Sequence, residues 1–147
     1  MLPIPTPDLI ESKQITEGAT CEFKVQIDLD DARQKSNLVD DVVAFLNSGP
    51  GHIVVGVQER AGAFERYRPL TGNPELVTRR LLSILQDNIE PRPLRVDVRA
   101  MPVEGGFLLD IDVAEHLLRP HQNRLNGAFY LRTGAKMTCP PPLPRSL

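Results

Sequence analysis

Between Glu17 and Val57 the hydrophobic period of the sequence changes twice, and this succession limits the available folds more than any other feature. From Thr20 to Asp28 it alternates: Cys21, Phe23, Val25 and Ile27 point one way, Glu22, Lys24, Gln26 and Asp28 the other. A period of two is that of a strand with one buried face. Residues 30–47 switch to helical spacing, with Leu38, Val42, Phe45 and Leu46 forming an apolar stripe. Asp30 or Asp31 is placed to accept from the free N–H groups of the first turn. Asn47-Ser48-Gly49 closes the helix, and Pro50 cannot continue it. Residues 52–58 form a nearly unbroken, β-branched apolar run, which fits a strand covered on both faces. Gly56 inside that run predicts the close approach of another backbone or a ligand. Strand, helix and strand in this order predict a parallel pair joined by a right-handed crossover.

The remainder extends the same scheme. Residues 1–8 are proline-rich and extended, and residues 8–15 form a short helix or an irregular arm. Residues 59–72 make a connection with a short strand near Phe64–Arg68. Asn73-Pro74-Glu75 opens a second helix, since Asn caps well, Pro suits the first helical position and Glu favours the positive end. Leu76, Leu81, Ile84 and Leu85 line its inner face, with Pro91 and Pro93 beyond its end. Residues 94–101 and Phe107–Val113 both alternate around the turn Glu104-Gly105-Gly106, predicting a hairpin with Leu109, Ile111 and Val113 opposite Asp110 and Asp112. A polar loop over 114–127 holds His116, Arg119, Pro120, His121 and Arg124, and Ala128–Arg132 gives a last short strand. The order β-α-β-(β)-α-β-β-β predicts an α+β (mixed α/β) fold, a mixed β-sheet with two main helices. A single domain spans 9–138, followed by a Pro-rich tail or linker at 139–147.

Composition excludes several classes. At 147 residues and 41% apolar, the chain can build one core without staples. Cys21 and Cys139 lie far apart without framework spacing, which predicts a reduced, cytoplasmic protein. No apolar run reaches membrane-spanning length, so no membrane partner is expected. Charge is polarised along the chain: residues 1–90 hold 9 Lys/Arg and 14 Asp/Glu, and residues 91–147 hold 8 and 5. An acidic site beside a basic surface is what a metal-assisted nucleic-acid enzyme requires. A weakly polarised domain of no such function would share this pattern.

Three carboxylates carry the candidate chemistry. Glu17 precedes the first strand, Glu22 lies on it, and Glu59 ends the neighbouring strand. Converging at one sheet edge, they could hold Mg²⁺ or Mn²⁺, hard cations that take oxygen ligands, with Lys24 on the same face as Glu22. A solvated polar face has the same spacing. Lys24, Arg119, Arg124, Arg132 and Lys136 are candidate phosphate contacts, and ordinary surface charge is the alternative. Gly49-Pro50-Gly51 follows a helix and enters a strand, the reverse of a phosphate-binding loop, so no nucleotide cofactor is expected. His52, His116 and His121 have no nearby cysteine pair, and no zinc site is expected.

Taken together, these residues resemble the Schlafen-type AlbA-like domain, also labelled a divergent AAA-type domain. Glu17-x4-Glu22-Phe23-Lys24 resembles the family's opening Glu…Glu-Phe-Lys motif. Ala44-Phe45-x-Asn47-Ser48 with Gly51-x-Ile53-Val54-Val55-Gly56-Val57 resembles its glycine-containing core. Ile89-x-Pro91, Pro120 and Tyr130-x-Arg132-x-Gly134 resemble its later elements. Pro50 stands where the family's first paired Gly falls, and Glu59 where an Asp is usual. The resemblance implies binding of DNA or RNA. Vertebrate-type members imply a metal-dependent endoribonuclease acting on structured RNA, with Glu17, Glu22 and Glu59 at the matching positions. They also pair two such lobes, so a homodimer would supply the second. A structural or oligomerisation domain is the third reading.

Overall fold

The computed structural model describes residues 2–93, 95–114, 120–133 and 136–138. The elements in chain order are α1 (Pro7–Glu11), β1 (Cys21–Lys24), α2 (Ala32–Ser48), β2 (Gly51–Val55), β3 (Val57–Arg60), β4 (Ala63–Tyr67), α3 (Pro74–Asn88), β5 (Ile89–Glu90), β6 (Val96–Val103), β7 (Gly106–Val113), β8 (Gln122–Asn123), β9 (Leu131–Thr133) and β10 (Lys136–Thr138). This is an α+β fold built on a mixed four-stranded sheet of order β1-β2-β7-β6. β1 and β2 are parallel, joined by α2, and β2–β7 and β7–β6 are antiparallel. β3 pairs with β4, β5 with β8, and β9 with β10.

Local sequence accounts for the helix ends. The Asp31 side chain caps α2 by accepting from Arg33 N and Gln34 N, and Asn73 caps α3 by accepting from Glu75 N and Leu76 N. The expected apolar strand at 52–58 is divided by Gly56, whose φ of 103° ends β2 and starts β3 in a new direction. A Cβ there would lie 2.9 Å from Leu108 Cδ2 and 3.1 Å from the Arg68 carbonyl oxygen. The close approach predicted for this glycine is that of the Arg68 backbone, whose N–H donates to the Gly56 carbonyl at 2.7 Å.

The sheet is covered on both faces. On one, α2 and α3 bury Leu38, Val42, Phe45, Leu46, Leu81 and Leu85 against Ile53, Val55, Leu109 and Ile111. On the other, Ile10 of α1 packs with Cys21, Phe23, Val54, Met101 and Leu108. Two sequence expectations shift as a result. The Glu22–Lys24 side of β1 is turned toward α2 rather than solvent, as the Lys24 contact with Asp41 of α2 shows. Asp110, expected on a polar face of β7, is fully buried. Asp110 sits at the middle of a central strand with apolar cover on both faces, so its carboxylate must find partners inside the protein. Val25 is exposed, since regular pairing of β1 stops at Lys24.

The chain beyond β7 is tied across α2 by side chains. Asn47 Nδ2 donates to the carbonyls of His121 (2.9 Å) and Tyr130 (3.0 Å), and its Oδ1 accepts from His121 N. Ser48 Oγ accepts from Arg132 N at 2.7 Å. Asn123 and Asn126 both donate to Asp40 Oδ1.

Candidate nucleic-acid interface and acidic face

The turn leading into β1 and the β3–β4 hairpin place the three glutamates. Glu17 Oε2 accepts from Phe23 N (3.0 Å), and its own N–H donates to the Gly62 carbonyl (2.7 Å). Glu59 Oε2 accepts from Gly62 N at 2.6 Å. Glu17 and Glu59 are therefore fixed to the same hairpin turn by backbone bonds. Burial raises the Glu17 pKa above the ordinary range, the Phe23 hydrogen bond opposes this, and the charges of Glu59 and Glu22 raise it further. The three carboxylates share one electrostatic neighbourhood.

Glu22 is held from two sides, by Arg132 (Nη1 to Oε1, 3.4 Å) and by Lys24 (Nζ to Oε2, 3.9 Å). Lys24 also pairs with Asp41, an acid that the sequence patterning missed. Burial is the largest influence on Asp41 and lifts its pKa to about 6, against the opposing charge of Lys24. The i, i+3 spacing of Leu38 and Asp41 on α2 was the available signal.

The candidate bases separate. Arg132 is 8% exposed. Its Nη2 donates to the carbonyls of Gly18 (2.9 Å) and Cys21 (3.3 Å), its Nε donates to Gly18 O (3.3 Å), and the guanidinium stacks 4.5 Å above the Phe45 ring. It is an internal tie between the Glu17–Cys21 turn and α2. Arg124 is exposed beside the end of α3, where its Nη1 donates to the Asp87 carbonyl. Arg119 and the Lys136 side chain lie outside the described residues, as do His116, Gly134, Cys139 and the 139–147 tail. The β3–β4 hairpin contributes to a basic set that sequence reading passed over. Lys13, Arg60 and Arg66 line a cleft of about 510 Å³ with Phe64 and Glu65, on the hairpin that carries Glu59.

A second polar cluster occupies the α1 side of the sheet. His52 stands opposite Asp112 in the β2–β7 register, and Arg99 opposite Asp110 in β6–β7. His52 Nδ1 lies 2.9 Å from Asp110 Oδ1, and Arg99 Nε lies 3.2 Å from Asp110 Oδ2. Arg99 also pairs with Asp112. His52, Asp110 and Asp112 each bring a ligand atom within 4.8 Å of the others; among the described residues they are the group so gathered, and Glu17, Glu22 and Glu59 are not. Nothing local to His52 signals this grouping, because its two acidic partners come from a strand more than fifty residues away.

The fold and these two polar faces define a small α+β domain with an acidic turn flanked by a basic cleft. The chain belongs to the Schlafen, AlbA_2 family, whose model matches residues 17–138. No curated protein matches it. Among solved structures, it is similar to the DIP2311 protein of Corynebacterium diphtheriae, with a TM-score of 0.59 and 19% identity over 82% of this chain. The match spans 22% of that longer protein. It is also similar to the N-terminal domain of a RecG-related protein from Nitrosomonas europaea, with a TM-score of 0.56 and 24% identity, covering 75% of this chain and 72% of that one. Among the described residues, no helix is long and apolar enough to cross a membrane.

Proposed function

We propose that this domain binds nucleic acid through the cleft between the end of α1 and the β3–β4 hairpin. The observation that carries this reading is the grouping of Lys13, Arg60 and Arg66 along one cleft, where Arg66 also pairs with Glu65 at 3.3 Å. Cations positioned along a groove neutralise phosphates, and the half-buried Phe64, packed against Tyr67, adds apolar surface beside them. Family membership supports the reading, as does the likeness to a domain from a protein named for its relation to a DNA helicase. Arg124 is a further outlying contact, whereas Arg132 acts from inside by holding the Glu17–Cys21 turn.

Fluorescence anisotropy with labelled single-stranded RNA and duplex DNA, at low and rising salt, tests this. The triple variant Lys13→Glu, Arg60→Glu, Arg66→Glu should weaken binding and lower the log–log salt slope by about 2–3. Unchanged affinity and slope, or no binding by the parent protein at low salt, would defeat the proposal.

A second reading is a Mg²⁺- or Mn²⁺-dependent endoribonuclease, favoured by the Glu17 carboxyl, whose pKa burial raises and the neighbouring charges of Glu59 and Glu22 raise further. Their donors are all hard oxygens, the type these cations take, and a cation would relieve the repulsion. When bound, it would supply Lewis-acid polarisation of a phosphodiester. Glu17 and Glu59 would each offer the oxygen not engaged by a backbone N–H, and Lys24 would balance phosphate charge on the Glu22 side. Incubation with structured RNA and Mn²⁺ gives the test: cleavage should disappear in Glu22→Gln, and cleavage that persists rules out this site.

A further inference from the structure

We propose that His52 and Asp112, with Asp110 behind them, form a binding site for a borderline divalent transition-metal ion such as Zn²⁺ or Co²⁺. This site is separate from the glutamates and does not depend on the nucleic-acid reading.

The placement follows from strand register. Side chains two apart on a strand share a face, and directly opposed residues on antiparallel strands stand side by side. Register sets His52 against Asp112 and Val54 against Asp110, so both aspartates lie on the His52 face. The buried carboxylate of Asp110 reaches His52 Nδ1 with both oxygens, at 2.9 and 3.2 Å. A carboxylate on one ring nitrogen favours the proton there and leaves the lone pair on the other, the arrangement that orients histidine as a metal ligand.

His52 Nε2 makes no hydrogen bond among the described residues and lies 3.9 Å from Asp112 Oδ1. The residue is 5% exposed. Its ring lines a cleft of about 550 Å³ together with Leu2, Ile4, Pro50 and Asp112. Nε2 is not among the fully buried unpartnered polar atoms, so it is reachable from this cleft, with the Asp112 carboxylate beside it. Metal–ligand bonds of roughly 2.1 Å put adjacent ligand atoms about 3–3.5 Å apart, so the Nε2–Oδ1 pair needs only slight closure. The cleft leaves the remaining coordination positions open to water or an entering ligand.

Charge points the same way. Two aspartates share one guanidinium, so carboxylates outnumber the arginine between them. Arg99 is the resident counter-ion, and its side chain is 34% exposed. An imidazole–carboxylate pair selects borderline ions over Mg²⁺, which prefers oxygen ligands and retained water.

The tag-free full chain, stripped with chelator, is titrated with Zn²⁺ by calorimetry and with Co²⁺ by visible absorption. One equivalent should bind, with ligand-field bands appearing for Co²⁺. His52→Ala and Asp112→Asn should each weaken binding at least ~10-fold. Arg99→Gln should tighten it several-fold by freeing the aspartates, although it loosens the metal-free protein. Glu17→Gln should leave it unchanged. Absence of saturable binding, binding indifferent to both His52→Ala and Asp112→Asn, or weaker binding in Arg99→Gln overturns the proposal. Thermal melts accompany each variant. If His52→Ala fails to fold, the more exposed Asp112→Asn decides.

Discussion

Arg132→Ala separates a surface phosphate contact from an internal tie, because the two roles predict opposite outcomes. In the folded protein this guanidinium donates to the Gly18 and Cys21 carbonyls, pairs with Glu22 and covers the Phe45 ring. Truncation removes the Arg132 donors from the Gly18 carbonyl, leaves the Cys21 carbonyl with Gly18 N–H alone, and leaves Glu22 balanced only by the more distant Lys24. Breaking a buried charge pair by removing one partner costs roughly 3–5 kcal/mol, because the remaining charge stays desolvated. For a domain of this size each kcal/mol moves Tm by about 2–4 °C, so a fall on the order of 10 °C is expected. Arg124→Ala is the control; its exposed side chain makes one hydrogen bond to a carbonyl, and its melt should move by no more than ~2 °C. Calorimetric or circular-dichroism melts at neutral pH measure both. An Arg132→Ala protein that melts with the parent, while losing affinity for nucleic acid, would refute the reasoning and return Arg132 to the surface.

Two further outcomes follow from the same packing. The folded Asp41 carboxyl titrates near 6 against an ordinary 3.8, so between those values the folded state holds a proton that the unfolded chain has lost. Its contribution therefore favours folding at low pH, is lost as pH rises through that window, and is flat above it. The stability of Asp41→Asn relative to the parent should accordingly rise by roughly 2 kcal/mol between pH 4 and pH 7 in urea titrations, and a difference independent of pH would contradict this. Asn47→Ala removes three hydrogen bonds that tie the 121–130 segment to α2 and should cost about 2–4 kcal/mol, with faster amide exchange in that segment. Unaltered exchange there would show that the segment is held by other contacts.

How far the sequence reaches is clear from particular residues. Asp31 and Asn73 cap their helices through atoms two or three positions away, so both caps were legible. The 94–113 hairpin was legible because its alternation and its Glu104-Gly105-Gly106 turn are adjacent. The parallel β1–β2 pair followed from strand–helix–strand order. The partners of charged groups were not legible. Arg132 reaches Gly18 across 114 positions, and His52 reaches Asp110 across 58. Hydrophobic period says which face of a strand is polar, but not whether that face is later covered. β7 lies between β2 and β6 with apolar cover on both sides, so Asp110 became a buried partner where alternation alone placed it opposite the core.

The sequence by itself thus determined the elements, their caps and the strand–helix–strand unit, because these depend on neighbours along the chain. Only the tertiary structure decided which acids meet which bases. Charges attract over distance but are desolvated by whatever packs on them, and that is set by layers from opposite ends of the chain. Glu17 and Glu59 came to one turn through the Gly62 backbone, Arg132 went inside, and Lys13, Arg60 and Arg66 formed the cationic cleft beside them.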